Sequence, residues 1–163
     1  MQIPGVAAWL AVAVTPVVLS GQTSNAVRCD SIQYRFVDQG APMTARRYRS
    51  IQDGQSYALR DSIVLDGRGI AEIQVWGHRV RTDTTWDVNA RLTPAGASAM
   101  AAATAHNVGE ALATLLGDVI VANGIIESPL GPRAAVRIGA TRREADSLAA
   151  RARRVSGANC NVP

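Results

Sequence analysis

Between Thr93 and Gly117 the chain reads TPAGASAMAAATAHNVGEALATLLG, and no other stretch limits the fold as tightly. Thr93 is placed to cap a helix, with Pro94 at the first helical position, where no amide hydrogen is needed. Small or apolar residues follow at Ala97, Met100, Ala101, Thr104, Val108, Ala111, Leu112 and Leu115. Their spacing by three and four predicts one amphipathic helix that runs to a stop at Gly117. Ser98, His106, Asn107 and Glu110 fall outside the stripe and are expected in solvent. A stripe of small side chains must lie close against its neighbour, and a sheet provides such a surface.

The rest of the chain supplies the strands. Ile32, Tyr34 and Phe36 alternate with polar residues in SIQYRFVDQ, the period of a half-buried strand. The turn-rich segment GAPMTARRYRSIQDGQ predicts a connection ending in a short strand near Tyr57 to Leu59. Ile70, Ile73 and Val75 begin a further strand after the turn at Gly67-Arg68-Gly69, and Trp86, Val88, Ala90 and Leu92 face one way in WDVNARL. Beyond Gly117, Val119 to Ala122 reads as a buried strand broken by Asn123-Gly124. Ala134, Val136 and Ile138 form a last strand, expected to pair with it. Thr141 and Glu144 make a capping box that opens a second helix, with Ala145, Leu148, Ala149 and Ala152 inward and Arg151, Arg153 and Arg154 near its negative end. The order predicts an α+β fold: an antiparallel sheet with two helices packed on one face, in a ferredoxin-like layout.

At 163 residues the chain is expected to build one core. Val6 to Val14 is an apolar run too short to span a bilayer, and it reads as the core of a signal peptide over residues 1–26. The division expected is 1–26 signal, 27–92 strands and link, 93–155 the helix-and-sheet core and 156–163 tail. Left uncleaved, the signal segment would tether the chain to a membrane. Gln22 stands where a lipoprotein would carry its cysteine, so no lipid anchor is expected. In an oxidising compartment, Cys29 and Cys160 are expected to form a disulfide that ties the two ends of the mature chain together. On the chain-entropy account such a bridge contributes about 4–5 kcal/mol.

All seventeen basic residues are Arg, against thirteen acidic ones. The arginines are spread along the chain, and the dense group Arg142, Arg143, Arg151, Arg153 and Arg154 has no aromatic residues interleaved to stack bases. The pattern argues against nucleic acid as the partner.

Catalysis finds little to work with. Neither His78 nor His106 has a metal-ligand partner at the usual spacing, no serine sits in a nucleophile elbow, and Gly67-Arg68-Gly69 lacks the third glycine of a dinucleotide loop. No enzyme activity, metal or cofactor is expected. The candidate for contact with a partner is the pair Ile125-Ile126, placed after a turn and before a Pro-rich loop, with core filling as the alternative. An unpaired sheet edge that accepts an extended peptide is a second route.

Ordered motifs then bring a family into view. Thr93 to Gly96, Asn107-Val108-Gly109, Asp118 to Ile120, Ile126 to Gly131 (IESPLG) and Arg137 to Ala145 (RIGATRREA) resemble, in the same order, the head subdomain of the first periplasmic domain of SecD. SecD is an accessory subunit of bacterial protein export. Upstream, IQYRFVDQGAP and YALRDSIVLDGRGIAEIQV resemble the strand and link before that head, so the likeness runs from Ile32 to Arg153. Two departures stand beside it. SecD proteins carry membrane helices whose acidic residues couple proton flow to movement, whereas the apolar segment here is N-terminal. The link DGRGIAEI also lacks the family's usual residues before the isoleucine.

The resemblance implies a periplasmic or secreted, non-enzymatic domain that binds an unfolded polypeptide or an envelope protein, with a link to protein export. The alternative is a disulfide-tied structural or inhibitory envelope protein with no export role.

Overall fold

The computed structural model describes residues 32–80 and 83–155. The expected signal segment, Cys29 and Cys160 lie outside the described residues. Among the described residues, nine strands and two helices follow one another in the order β1 (Ile32–Phe36), β2 (Arg47–Ser50), β3 (Ser56–Ala58), β4 (Leu65–Asp66), β5 (Ile70–Val80), β6 (Asp83–Leu92), α1 (Pro94–Ala105), β7 (Ala111–Leu116), β8 (Val119–Ile125), β9 (Arg133–Ala140) and α2 (Arg142–Val155). A 3-10 turn, Gly67–Gly69, joins β4 to β5.

The α+β class is as expected, but the strands divide between two sheets. One has the order β3-β2-β8-β7-β1-β4 and the other β5-β6-β9. All strand pairs are antiparallel except β2 with β8.

The larger sheet also curls back on itself. Val37 bridges to Leu59, the Asp38 amide donates to the Ala58 carbonyl and the Arg60 amide to the Phe36 carbonyl, each at 2.9 Å. These bonds join the end of β1 to the end of β3 and close β1, β7, β8, β2 and β3 into a small ring. A ring of five short strands has room only for side chains. Val37, Leu59, Ala113, Leu115 and Ile120 fill it, with Tyr48 and Tyr57 against them. The opposite faces of β1, β7 and β8 turn Tyr34, Leu112, Leu116 and Val121 into the main core.

The three-stranded sheet buries one face. Ile73, Val88, Ala90, Ala134 and Val136 meet Ala145, Ala149 and Ala152 of α2, which lies across β5, β6 and β9. Its other face carries polar and partly exposed groups such as Glu72, Gln74 and His78. Helix α1 also touches β6, and sits besides against the 3-10 turn and β4.

Both helix starts are formed as their sequences predict. Thr93 Oγ1 accepts the Gly96 amide at 3.0 Å, and Glu144 Oε2 accepts the Thr141 amide at 2.8 Å, with the Glu144 amide donating back to Thr141 Oγ1 at 3.3 Å. Gly96 matters for another reason: a Cβ there would stand 2.3 Å from the Gly69 carbonyl oxygen, so α1 reaches its place only because the position is bare.

Three local expectations are corrected. The helix ends at Ala105, not at Gly117. His106 Nδ1 and Asn107 Nδ2 reach back to the Ala102 and Ala103 carbonyls at 2.9 and 2.6 Å, and Gly109 takes a φ of +91° that turns the chain. Ala111, Leu112 and Leu115 thus belong to β7, and Val108 is exposed. Strand β8 continues through Asn123-Gly124, paired with Ala113 and Leu112 of β7. Strand β9 pairs with β6, not with β8.

Candidate functional site

The pairing of β9 with β6 leaves a gap between β8 and β9, and a cleft of about 210 Å³ opens there. Its floor is Tyr34 from β1 with Leu112 and Thr114 from β7; its walls include Ile125, Ile126, Leu130 and Ile138. The lining is mostly apolar because these strands turn core residues toward the junction of the two sheets.

Strand edges flank the cleft. β9 has β6 on one side and, among the described residues, no strand on the other. One of its edge carbonyls, that of Ala135, accepts a 3.0 Å hydrogen bond from Thr114 Oγ1. β2 pairs with β8 only at Val119 and Ile120, so among the described residues the far end of β8 carries no strand beside it except β7. Side chains of the β2–β3 turn cover part of that end: Gln52 Oε1 accepts the Asn123 amide at 3.0 Å. Strand edges that lack a neighbouring strand, even where side chains cover some of their groups, can accept an extended chain by main-chain hydrogen bonding.

Tyr34 gives the cleft its polar feature. The side chain is buried, and its hydroxyl has no hydrogen-bond partner. Burial pushes its pKa well above the usual tyrosine range, so the hydroxyl stays protonated and remains a donor. A buried hydroxyl without an acceptor costs about 1–3 kcal/mol, and such a group calls for an explanation.

The predicted contact pair separates. Ile125 stands at the rim, 59% exposed, with Ile138 across from it at 53%. Ile126 is 3% exposed, and its amide and carbonyl are taken by Glu110 and Gly109. Sequence reasoning passed over Tyr34 and Ile138 as site residues, because their alternation with neighbours marks a strand face and nothing in it distinguishes a core position from a cleft floor. For Ile138 the available signal was Gly139, with a φ of +67°, which ends the regular part of β9.

One further constellation has the connectivity of a hydrolytic triad. Thr85 Oγ1 lies 3.0 Å from His78 Nε2, and Asp87 Oδ2 lies 3.7 Å from His78 Nδ1. All three stand on the outer face of the β5–β6 hairpin. The 3.7 Å gap is too long for a hydrogen bond, and Asp87 Oδ1 is engaged by the Gly139 amide at 2.9 Å, which ties down β9. We read it as a cross-strand surface pair. Among the described residues no three His, Cys, Asp or Glu side chains are grouped to hold a metal.

The model for the SecDF P1 head subdomain matches residues 43–156. The chain belongs to that family. The match runs from the loop before β2 to the end of α2, so it takes in strands of both sheets and both helices. The P1 head motifs fall where the fold turns: Thr93–Gly96 seats α1 on the 3-10 turn, Asn107–Gly109 ends it, and Arg137–Ala145 carries β9 into α2.

Two solved SecDF structures share the P1 head architecture. One is of SecDF described as a membrane component that enhances protein export; it is 17% identical, with a TM-score of 0.60 over 79% of this chain and 64% of that one. The other, SecDF in a super-membrane-facing form, is 19% identical, with a TM-score of 0.59 over 79% of this chain and 19% of that one. At these identities the likeness is one of fold, and this chain spans only part of either protein. No curated protein matches. Among the described residues no helix is long and apolar enough to cross a membrane.

Proposed function

We propose that this P1 head domain is a non-catalytic binding module that holds an extended, apolar stretch of polypeptide in the β8–β9 cleft. The role is periplasmic and linked to protein export. The observation that carries the proposal is the cleft itself: an apolar trough between two strand edges, with the unpartnered Tyr34 hydroxyl in its floor. A segment entering along β9 gains main-chain hydrogen bonds from the edge, buries its side chains between Ile125 and Ile138, and supplies the acceptor that Tyr34 lacks. Membership of the SecDF P1 head family and reading residues 1–26 as an export signal support the compartment and the link to export.

The test is binding of a fluorescein-labelled unfolded peptide, followed by anisotropy. Wild-type protein should bind, and Ile138→Asp should abolish binding without unfolding the domain. Tyr34→Phe separates function from structure: stability should hold or rise by up to about 1 kcal/mol, since the hydroxyl has no partner to lose, while affinity falls several-fold. If wild type and Ile138→Asp bind equally, or none binds, the cleft is not the site, and a purely structural envelope role becomes the better account.

A further inference from the structure

A second cleft, of about 380 Å³, lies between the outer side of α2 and the turn after β2. Its lining is of another character: Arg137 from β9, Arg143, Glu144, Leu148 and Arg151 from α2, and Ile51 from the turn. Three guanidinium groups thus face one carboxylate, and that carboxylate is occupied. Glu144 Oε2 accepts both the Thr141 amide and the Thr141 hydroxyl at 2.8 Å in the capping box.

Arg137 is the anomaly. The half-buried side chain lies near enough to Glu144 to help hold that carboxyl below its ordinary range, yet its Nη1 is buried and has no hydrogen-bond partner. Guanidinium groups removed from water normally meet a carboxylate, phosphate or carbonyl. The neighbouring Arg142 shows the ordinary outcome, with its Nε 2.7 Å from Asp146 and its plane stacked 4.3 Å from the Trp86 ring centroid. Arg143 has no ion pair among the described residues, while Arg151 donates to the Leu116 carbonyl at 3.3 Å. Ile51, 52% exposed, and Leu148 add an apolar shoulder beside the cations.

We propose that this cleft is a carboxylate-binding site, completed by an acidic side chain of the extended polypeptide that occupies the β8–β9 cleft. Adjacent residues of β9 line the two clefts, Ile138 one and Arg137 the other, so a single segment lying along β9 reaches both. It presents apolar groups to the first and a carboxylate to Arg137 and Arg143 in the second, where charge-assisted hydrogen bonds form. The domain would then select segments in which an acidic residue neighbours apolar ones, rather than any unfolded chain. The choice of polypeptide as occupant rests on the function proposed above; the unbonded Nη1 of Arg137 does not.

Two labelled peptides test this on the full chain: an alternating apolar and Glu/Asp sequence, and the same sequence with Gln/Asn. Wild type should prefer the acidic peptide by about tenfold, and the preference should shrink as salt is raised. Arg143→Gln, on the surface of α2, should reduce the preference several-fold, and Arg137→Gln should remove it while leaving the amide peptide bound as before. Equal binding of both peptides by wild type overturns the inference and leaves the apolar cleft standing, whereas no binding of either sinks both. If inorganic phosphate or phosphatidylglycerol vesicles bind through Arg137 while the peptides are not distinguished, the site takes phosphate and the assignment to polypeptide fails.

Discussion

The two sheets solve the same problem in different ways. The three-stranded sheet buries one face under α2 and leaves the other to solvent, so its stability comes from a single layer of contact. The six-stranded sheet has apolar residues on both faces of its centre: β7 turns Leu112 and Leu116 into the main core and Ala113 and Leu115 into the ring closed by the Val37–Leu59 bridge. A layer can settle when a side chain is removed, because a helix can shift against it. A ring closed by backbone hydrogen bonds has less freedom to do so.

Truncation should expose that contrast most strongly. Leu115→Ala, inside the ring, is expected to destabilise by about 4 kcal/mol, and Ile73→Ala, under α2, by about 3 kcal/mol, both within the range for large-to-small core changes. Urea unfolding of the two variants measures the difference. If Ile73→Ala proves the more damaging, the ring is not the stiffer region.

Next in size is Gly96→Ala, at about 2–3 kcal/mol, because the added methyl meets backbone of the 3-10 turn, which cannot rotate away. Thermal unfolding should report the loss. Its amide spectrum should change around α1 and β5 and not in the ring.

The smallest effect concerns how the ring is tied. Asp53 accepts the Tyr57 hydroxyl at 2.7 Å, the Gln55 amide at 2.9 Å and the Asn123 side-chain amide at 3.3 Å, fastening the β2–β3 turn to β8. These bonds, that of Tyr57 foremost, hold its carboxyl at about 2, below the ordinary 3.8. A depressed folded pKa means that the contribution is complete above the ordinary value and is withdrawn as pH falls from about 3.8 through about 2. Asp53 is solvent-exposed, so the effect should be local and weakened by salt. The Gln55 amide resonance should shift in that window, and Asp53→Asn should abolish the step.

How much could be read beforehand follows the same division. β6, with Val88, Ala90 and Leu92 buried and Asn89 and Arg91 turned out, was legible because one of its faces is wet. β5 was legible too, though its apolar positions Ile70 and Ile73 break the two-residue period; a bulge between Ile70 and Glu72 restores them to one face. β7 was not. With core on one side and ring on the other, Ala111 to Leu116 shows no alternation, and its leucines continue the three-and-four spacing of the helix before it by coincidence of position. Of the site, Ile125 was visible as an apolar residue beside a turn signal. Tyr34 and Arg137 were not, since the absence of a hydrogen-bond partner belongs to the assembled neighbourhood and leaves no trace in the spacing of residues.

The amino-acid sequence by itself determined the local events: where α1 and α2 begin, through Thr93 and through the Thr141–Glu144 box; which strands have a wet face; and, by its ordered motifs, the P1 head family. Each depends on residues a few positions apart, whose geometry the backbone fixes directly. Only the tertiary structure decided that β9 pairs with β6, that Val37 meets Leu59 to close the ring, and that a gap with two strand edges remains between β8 and β9. An apolar pattern states that a face must be buried and not against which partner. That choice is settled by hydrogen bonds between strands far apart in the chain, once the whole core has come together.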